Sequence, residues 1–247
     1  MFDLTGRVAL VTGAGQHVGR AIAEALANCG AAVAVNDIVT ARARDVADAI
    51  VKAGGRAMAA PGDVTDLEAM KSLVVEIEAG LGSVDILVSN AGNSGATRAI
   101  PTQFLDMDPR DWKKYVDINF YAVLNGIHAV LPGMRQRGHG RIITIASDAG
   151  RQGLAMGMSI YSGGKAAAMG FQRSLACEVG PYQITVNTVS LGMIPGDWDM
   201  GPPKGTPLGR HGVPKDVGPA VVYFASDEAS WVTGQILSVN GGVYRNV

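Results

Sequence analysis

Short, unbroken apolar runs bounded by glycine or aspartate alternate along the chain with longer stretches of helical period. RVALVTG, AAVAVND, RAMAAPGDV, DILVSNAG, GRIITIAS, ITVNTVS and QILSVNGG read as seven strands, and their continuous apolar character fits strands covered on both faces. Between them the period predicts helices over residues 18–29, 40–53, 66–79, 109–135, 161–179 and 214–226. The punctuation agrees: Gly30 and Gly54 follow helices, while Asp108 before Pro109 and Val213 before Pro214 mark helix starts. Strand and helix in steady alternation predict an α/β fold, one domain over 1–247, with a doubly wound sheet of seven mainly parallel strands and helices on both faces. The one long irregular stretch, 192–213, holds four of the eleven prolines. Structureless segments of that length usually serve as lids or binding loops, so this is the expected substrate loop.

Composition narrows the class. At 247 residues the chain can bury a large core in one domain, and 47% apolar with 17% charged residues places it among globular proteins. A formal charge of −1 and no run of basic residues leave no electrostatic footprint for nucleic acid or an anionic membrane. The start, MFDLTGRVALVTG, lacks a basic segment followed by a long apolar one, and no apolar run approaches the roughly 20 residues of a membrane span, so a cytoplasmic protein is expected. Cys29 and Cys177 lie inside apolar helical patterns and read as buried free thiols. His17, His128, His139 and His211 show no ligand spacing, and no metal site is expected.

Residues 12–19, TGAGQHVG, follow a predicted strand and open a predicted helix, the context of a dinucleotide-binding loop. Amides at the start of that helix, with its positive dipole end, would hold a pyrophosphate. The spacing Gly13, Gly15, Gly19 is not a strict GxGxxG, so a plain structural turn stays open on the loop alone. Asp37 ends the second strand, 18 residues after Gly19, where an acid takes the hydroxyls of an adenine ribose. Two like charges about 4 Å apart repel by roughly 4 kcal/mol at an effective dielectric near 20, so a carboxylate there disfavours a 2′-phosphate. NAD is expected over NADP. Arg42 and Arg44 fall in the next helix and read as solvated surface.

Further on, YSGGK puts Tyr161 and Lys165 four residues apart, on one face of a helix. A phenol exchanges a proton at an alcohol or carbonyl oxygen, but its reference pKa near 10 is about three units too high for neutral pH. Those units amount to roughly 4 kcal/mol, which a lysine ammonium and a positively charged nicotinamide together could supply. Ser147 ends the strand GRIITIAS, at the carboxyl edge where open α/β sheets place ligands. Asn119 is a poor helix former inside the apolar helix WKKYVDINFYAVLNG, where its amide supports a water or bonds the backbone. Each of these has an ordinary structural reading: an accidental spacing, turn chemistry, a satisfied buried amide.

Together, and in this order, they resemble the short-chain dehydrogenase/reductase family over nearly the whole chain. TGAGQHVG matches its TGxxxGxG loop except at His17, SNAG (89–92) its NNAG strand end, and GDV (62–64) its adenine-contacting segment. Asn119, Ser147, Tyr161 and Lys165 match its catalytic four, and TGQILSVNGG (233–242) its C-terminal strand and turn. The resemblance implies a Rossmann-type fold and hydride transfer between a nicotinamide and a carbinol or carbonyl carbon. It makes Tyr161 the general acid/base, Ser147 the group that orients the substrate oxygen, Lys165 the tuner of Tyr161 and a ribose ligand, and Asn119 the holder of a relay water. It assigns the cofactor to Gly13, Gln16, His17, Val18, Gly19, Asp37, Ile38, Asp63, Val64, Asn90, Ala91, Gly92, Tyr161, Lys165, Gly192 and Ile194. Two departures stand out: His17 at a glycine position, expected to keep ordinary helical dihedrals, and Leu191 and Gly196 where the family has proline and threonine.

If the stretches between Ser147 and Tyr161 and after Gly192 flank the nicotinamide, Leu154, Met156, Met158, Met193, Trp198 and Met200 form an apolar, adaptable wall. The substrate contacts expected are Ser147, Met156, Tyr161, Met193 and Trp198. The substrate is then a small molecule: a hydrophobic or alicyclic secondary alcohol, or a hydroxyacyl thioester; Arg151 and Lys204 read first as solvated surface residues, with pairing to a phosphate of a carrier such as coenzyme A as the alternative. An NADPH-dependent 3-oxoacyl-thioester reductase, a catalytically silent dinucleotide-binding regulator, and an isomerase, epimerase or dehydratase on the same site stand beside this reading. Helices 109–135 and 161–179 resemble the family's subunit-pairing helices, which implies a homotetramer.

Overall fold

The computed structural model describes residues 1–92, 101–154, 157–195, 201 and 205–244. The regular elements run β1 (Val8–Val11), α1 (His17–Asn28), β2 (Ala32–Val35), α2 (Thr40–Lys52), β3 (Arg56–Ala59), α3 (Leu67–Gly80), β4 (Ile86–Ser89), α4 (Trp112–Val116), α5 (Ala122–Arg137), β5 (Gly140–Ser147), α6 (Ser159–Val179), β6 (Ile184–Leu191), α7 (Gly218–Ala225) and β7 (Ile236–Val239). All seven apolar runs form strands. They pair in the order β3-β2-β1-β4-β5-β6-β7, every neighbour parallel. The chain winds outward from β1 to β3, then returns across β1 to β4. That reversal leaves a crevice at the carboxyl ends of β1 and β4, where such sheets take their ligands.

Side-chain alternation along the strands splits the core into two layers. Ala9 and Val11 of β1 pack with Ile22 and Leu26 of α1, Val46 and Ile50 of α2, and Val221 of α7. Val8 and Leu10 face the other way, with Leu73 and Ile77 of α3, Val123 and Ile127 of α5, and Ala168 and Leu175 of α6. Strands β1, β2 and β4 are buried throughout, whereas the edge strands β3 and β7 are mostly half-exposed.

Glycine closes two helices as expected, with Gly30 and Gly54 at φ of +95° and +89°. The helix expected over 109–135 is segmented. Asp108 caps the 3-10 turn Pro109–Asp111 by accepting the Arg110 amide at 2.9 Å, α4 follows, and a π-helical turn, Asp117–Tyr121, precedes α5. A period count averages over such a one-residue insertion. Pro214 begins a 3-10 turn, and α7 starts only at Gly218. The cysteines are free, but Cys29 is half-buried and Cys177 exposed, so the expectation of two buried thiols fails: α6 turns Cys177 away from the sheet. Among the described residues no helix is long and apolar enough to cross a membrane, and no group of three or more His, Cys, Asp or Glu is placed to hold a metal ion.

Candidate active site

The glycine loop leaves β1 and is moulded around its neighbours. Gly13 stands at φ +59°, and a Cβ there would lie 2.9 Å from Ala91 Cα. At Gly19 a Cβ would lie 2.2 Å from the Gly13 carbonyl oxygen and 2.5 Å from Asn90 Nδ2. Thr12 ties this loop to the end of β4: its Oγ accepts the Asn90 and Ala91 amides at 3.0 and 3.1 Å, while Asn90 Nδ2 donates to the carbonyls of Thr12 and Gly13 at 2.9 and 3.0 Å. The loop therefore presents backbone rather than side chains to the crevice, as a phosphate cradle requires.

His17 opens α1 with φ of +46°, in the left-handed region, rather than with the ordinary dihedrals expected of it. The loop geometry written for a glycine persists although the residue has a Cβ. Gln16, extended at the N-cap, makes no side-chain cap bond, and Val18 packs on the core beneath.

Asp37 follows β2 and is 6% exposed; its Oδ2 accepts the Gly15 amide at 3.1 Å and its Oδ1 the Val39 amide at 2.9 Å. An ionised carboxylate has about four lone-pair sites, so acceptor capacity is left for ribose hydroxyls. Arg42 is half-buried, its Cβ only 2.5 Å from where a Gly15 Cβ would stand, and so is not the solvated residue expected; Arg44 is exposed. Ile38 is 54% exposed beside the acid. Asn36 binds the carbonyls of Ala60 and Gly62 at 2.9 and 3.1 Å, and the Gly62 amide donates to the Asp37 carbonyl at 3.2 Å, which carries Asp63 and Val64 to the same rim. Asp63 is exposed and holds Thr65 through both its amide and hydroxyl; Val64 is buried.

At the far side of the crevice the four polar candidates converge. Ser147 ends β5 with its hydroxyl beside the Tyr161 phenol, and accepts the Ala149 amide at 3.2 Å. Lys165, one turn along α6 from Tyr161, has its Nζ 6.0 Å from the centre of the phenol ring and donates to the Ile145 carbonyl at 3.0 Å. Asn119 is fully buried in the π-turn and donates from Nδ2 to the Tyr115 carbonyl at 2.9 Å. Gly92 completes the contact: a Cβ there would lie 2.7 Å from Lys165 Nζ and 3.0 Å from Asn119 Oδ1. Burial pushes the Tyr161 phenol above its ordinary value, against the opposing effect of the nearby Ser147 hydroxyl, and pushes Lys165 down to about 8. Taken alone the chain thus leaves the phenol high rather than lowered by the ammonium, because desolvation penalises both charged forms.

Gly192 follows β6 with no room for a side chain, Asn240 Cα lying 2.7 Å from its would-be Cβ; Ile194 packs on the core, and Met193 is 42% exposed. Met156, Trp198, Met200, Lys204 and Gly196 lie outside the described residues. Arg151, expected as solvated or phosphate-pairing, is half-buried and donates to Ser238 Oγ at 2.5 Å. Sequence reasoning missed Asn36 and Asp148 and gave no role to Thr12 and Asn240 within their motifs, because what these residues do consists of long-range hydrogen bonds with no local signature.

A seven-stranded parallel sheet with a glycine cradle at its reversal point and a serine, tyrosine and lysine clustered beside it defines a dinucleotide-dependent oxidoreductase. A family profile described as enoyl-(acyl carrier protein) reductase matches residues 13–244. The 3-oxoacyl-[acyl-carrier-protein] reductase of Escherichia coli K12 is 40% identical over 98% of this chain and 99% of its own. A 7α-hydroxysteroid dehydrogenase solved with NADH and 7-oxo glycochenodeoxycholic acid superposes with a TM-score of 0.90 at 36% identity, covering 98% of this chain and 95% of its own. A gluconate 5-dehydrogenase from Burkholderia cenocepacia, solved with NADP and tartrate, gives 0.91 at 31%, covering 100% and 98%. The chain belongs to the short-chain dehydrogenase/reductase family, whose members act on CH–OH groups with NAD(H) or NADP.

Proposed function

We propose that this protein is an NAD-dependent oxidoreductase that interconverts a secondary alcohol and a ketone, with Tyr161 as general acid/base. The observation that carries the reading is the convergence of Ser147, Tyr161 and Lys165, with the Ser147 hydroxyl beside the Tyr161 phenol and Lys165 Nζ 6.0 Å from the ring centre, next to a loop whose glycines a Cβ would jam. The fit of the dinucleotide rests on that loop. Gly13, Gln16, His17, Val18 and Gly19 would hold the pyrophosphate by backbone amides, Asp37 and Ile38 the adenine ribose, Asp63 and Val64 the adenine, and Asn90, Ala91, Gly92, Gly192 and Ile194 the remainder. The bound nicotinamide supplies the hydride donor or acceptor; the chain handles the proton. Ser147 Oγ holds the substrate oxygen, and the Tyr161 hydroxyl takes its proton in oxidation or returns it in reduction. Lys165 Nζ, when protonated, favours the phenolate, and Asn119 would hold a relay water.

NAD is preferred because the Asp37 carboxylate faces the loop at Gly15, so a 2′-phosphate would meet a buried negative group. Exposed Met193 and Leu154 favour a hydrophobic or alicyclic substrate, with Met156 and Trp198 as further contacts. The second reading, an NADPH-dependent 3-oxoacyl-thioester reductase, is favoured by the 40% identical relative.

One assay separates them. Apolar secondary alcohols and hydroxyacyl thioesters, with their ketones, are each offered with both cofactors and followed by absorbance of the reduced nicotinamide. Turnover of a hydrophobic alcohol with NAD supports the proposal. Turnover confined to thioesters with NADP(H) selects the second reading, and no turnover of any substrate overturns both. Asp37→Ala is expected to narrow the NAD/NADP ratio of kcat/KM; an unchanged ratio removes Asp37 as its cause.

A further inference from the structure

The stretch after Ser147 carries two polar side chains that the proposed chemistry does not use. Asp148 is 4% exposed, and both carboxylate oxygens are engaged: Oδ1 accepts from Ser190 Oγ and Oδ2 from Asn240 Nδ2, each at 2.7 Å. Arg151 donates to Ser238 Oγ and lays its guanidinium over the Tyr244 ring, 4.9 Å from the centroid. Apart from Ser190 on β6, these partners belong to β7 or to the turn 240–244 beyond it. The turn is also braced within itself, Asn240 Nδ2 donating to the Tyr244 carbonyl at 2.8 Å and its Oδ1 accepting the Gly242 amide at 2.9 Å.

Two walls of the site meet on this turn. Gly192 presses on Asn240 Cα and donates its amide to the Val239 carbonyl at 3.0 Å. The returning arm of the 192–213 loop rests on the other side: Leu208 donates to the Gly241 carbonyl at 3.2 Å, and Cβ atoms on Gly241 and Gly242 would lie 2.8 Å from Thr206 Cγ2 and 3.0 Å from Pro207 Cγ. We propose that Asp148 and Arg151 are positioning residues that, through turn 240–244, lock Ser147 to Gly192 on one side and to residues 206–208 on the other. The serine and these residues then hold a single register during turnover.

The physical argument is contiguity without slack. Removing the Asp148 carboxylate deprives buried Ser190 of its acceptor and half-buried Asn240 of one of the two acceptors of its Nδ2, and a buried donor left without a partner drives local rearrangement. Asn240 then shifts with nothing but backbone between it and Gly192. The inference rests on the reading that Ser147 orients the substrate oxygen and that the loop lies against the nicotinamide.

The test compares full-length wild type with Asp148→Ala, Asp148→Asn, Arg151→Met and Arg151→Lys by kcat, KM, dinucleotide affinity, and amide exchange at Gly192, Leu208 and Gly242. Asp148→Ala is expected to lower kcat by about 10²-fold, as a misplacement near 1 Å does, with little change in dinucleotide affinity and with faster exchange at those amides. Asp148→Asn, whose amide oxygen accepts from Asn240 while its NH2 donates to Ser190, restores most of the lost kcat. Arg151→Met lowers kcat in the same way and non-additively with Asp148→Ala. Arg151→Lys does not rescue, because an ammonium has no planar face for Tyr244. Unchanged kcat in both Asp148→Ala and Arg151→Met overturns the proposal, as does a fall in kcat with exchange unaltered. If Asp148→Ala does not fold, Arg151→Met at its half-buried site carries the same test. If wild type turns over no alcohol or ketone, the oxidoreductase reading fails separately, and the exchange comparison alone decides the clasp.

Discussion

His17 occupies a backbone conformation, φ +46°, that costs a residue with a Cβ on the order of 1 kcal/mol. His17→Gly is therefore expected to stabilise the apoprotein by up to about 1 kcal/mol, less the extra unfolded-chain entropy of glycine, which urea denaturation reads directly. Lys165 shows the same tension at the chemistry. Burial holds its pKa near 8, below its ordinary 10.5. Between those values the unfolded chain binds a proton that the fold has released, so this group makes stability rise with pH from 8 to 10.5; below pH 8 both states are protonated and the burial cost is fully felt. Lys165→Met is expected to be more stable than wild type at pH 7, by on the order of 3 kcal/mol less the lost bond to Ile145, with the difference shrinking as pH rises towards 10.5. Denaturation at pH 7, 8.5 and 10 tests it, and a difference independent of pH would mean the ammonium is not buried. Tyr161→Phe is expected to cut turnover by about 10² or more while retaining dinucleotide affinity. Burial raises the phenol, so alcohol oxidation, which needs the phenolate, should quicken with pH through the alkaline range.

At the scale of the element, three of the candidate groups are delivered by places where regular structure breaks. Ser147 ends β5, Gly19 sits in the first turn of α1, and Asn119 sits in a π-turn between α4 and α5. That turn is what aims Asn119 inward, since one extra residue rotates the following face of the helix by about 100°. Gly19→Ala is the sharpest test of the loop as a built element. A Cβ 2.2 Å from the Gly13 carbonyl must push β1's exit away from Asn90, so a loss of about 1–3 kcal/mol is expected together with weakened dinucleotide binding. Alanine tolerated with full affinity would show that the loop does not serve as the cradle. Most element positions were legible, with strands recovered to within a few residues, because parallel strands covered on both faces must be continuously apolar. The π-turn and the displaced start of α7 were not, because periodicity and a proline report only the average local preference.

For the whole molecule, one group of exposed apolar residues lies near the sheet edge. Trp231 is 98% exposed beside β7, and Leu237 and Val243 are 40% and 41% exposed. Large apolar groups so placed on a monomer usually mark a contact with another chain, and a homotetramer is the expected assembly. Sedimentation of wild type as a tetramer and of Trp231→Glu as a smaller species would bear this out; a wild-type monomer would refute it.

What the amino-acid order determined by itself was the alternation of strand and helix, the parallel sheet, and the motif residues from Thr12 to Lys165. All of these are set by short-range preferences and by spacings of a few residues. Tertiary structure alone decided the order of the strands, the meeting of Ser147 with Tyr161, the left-handed His17, and the network joining Asp148 and Arg151 to Asn240 and Tyr244 across some ninety positions of chain. Contacts of that span depend on which faces the two core layers bury together. That is a property of global packing, which no local window of the chain contains.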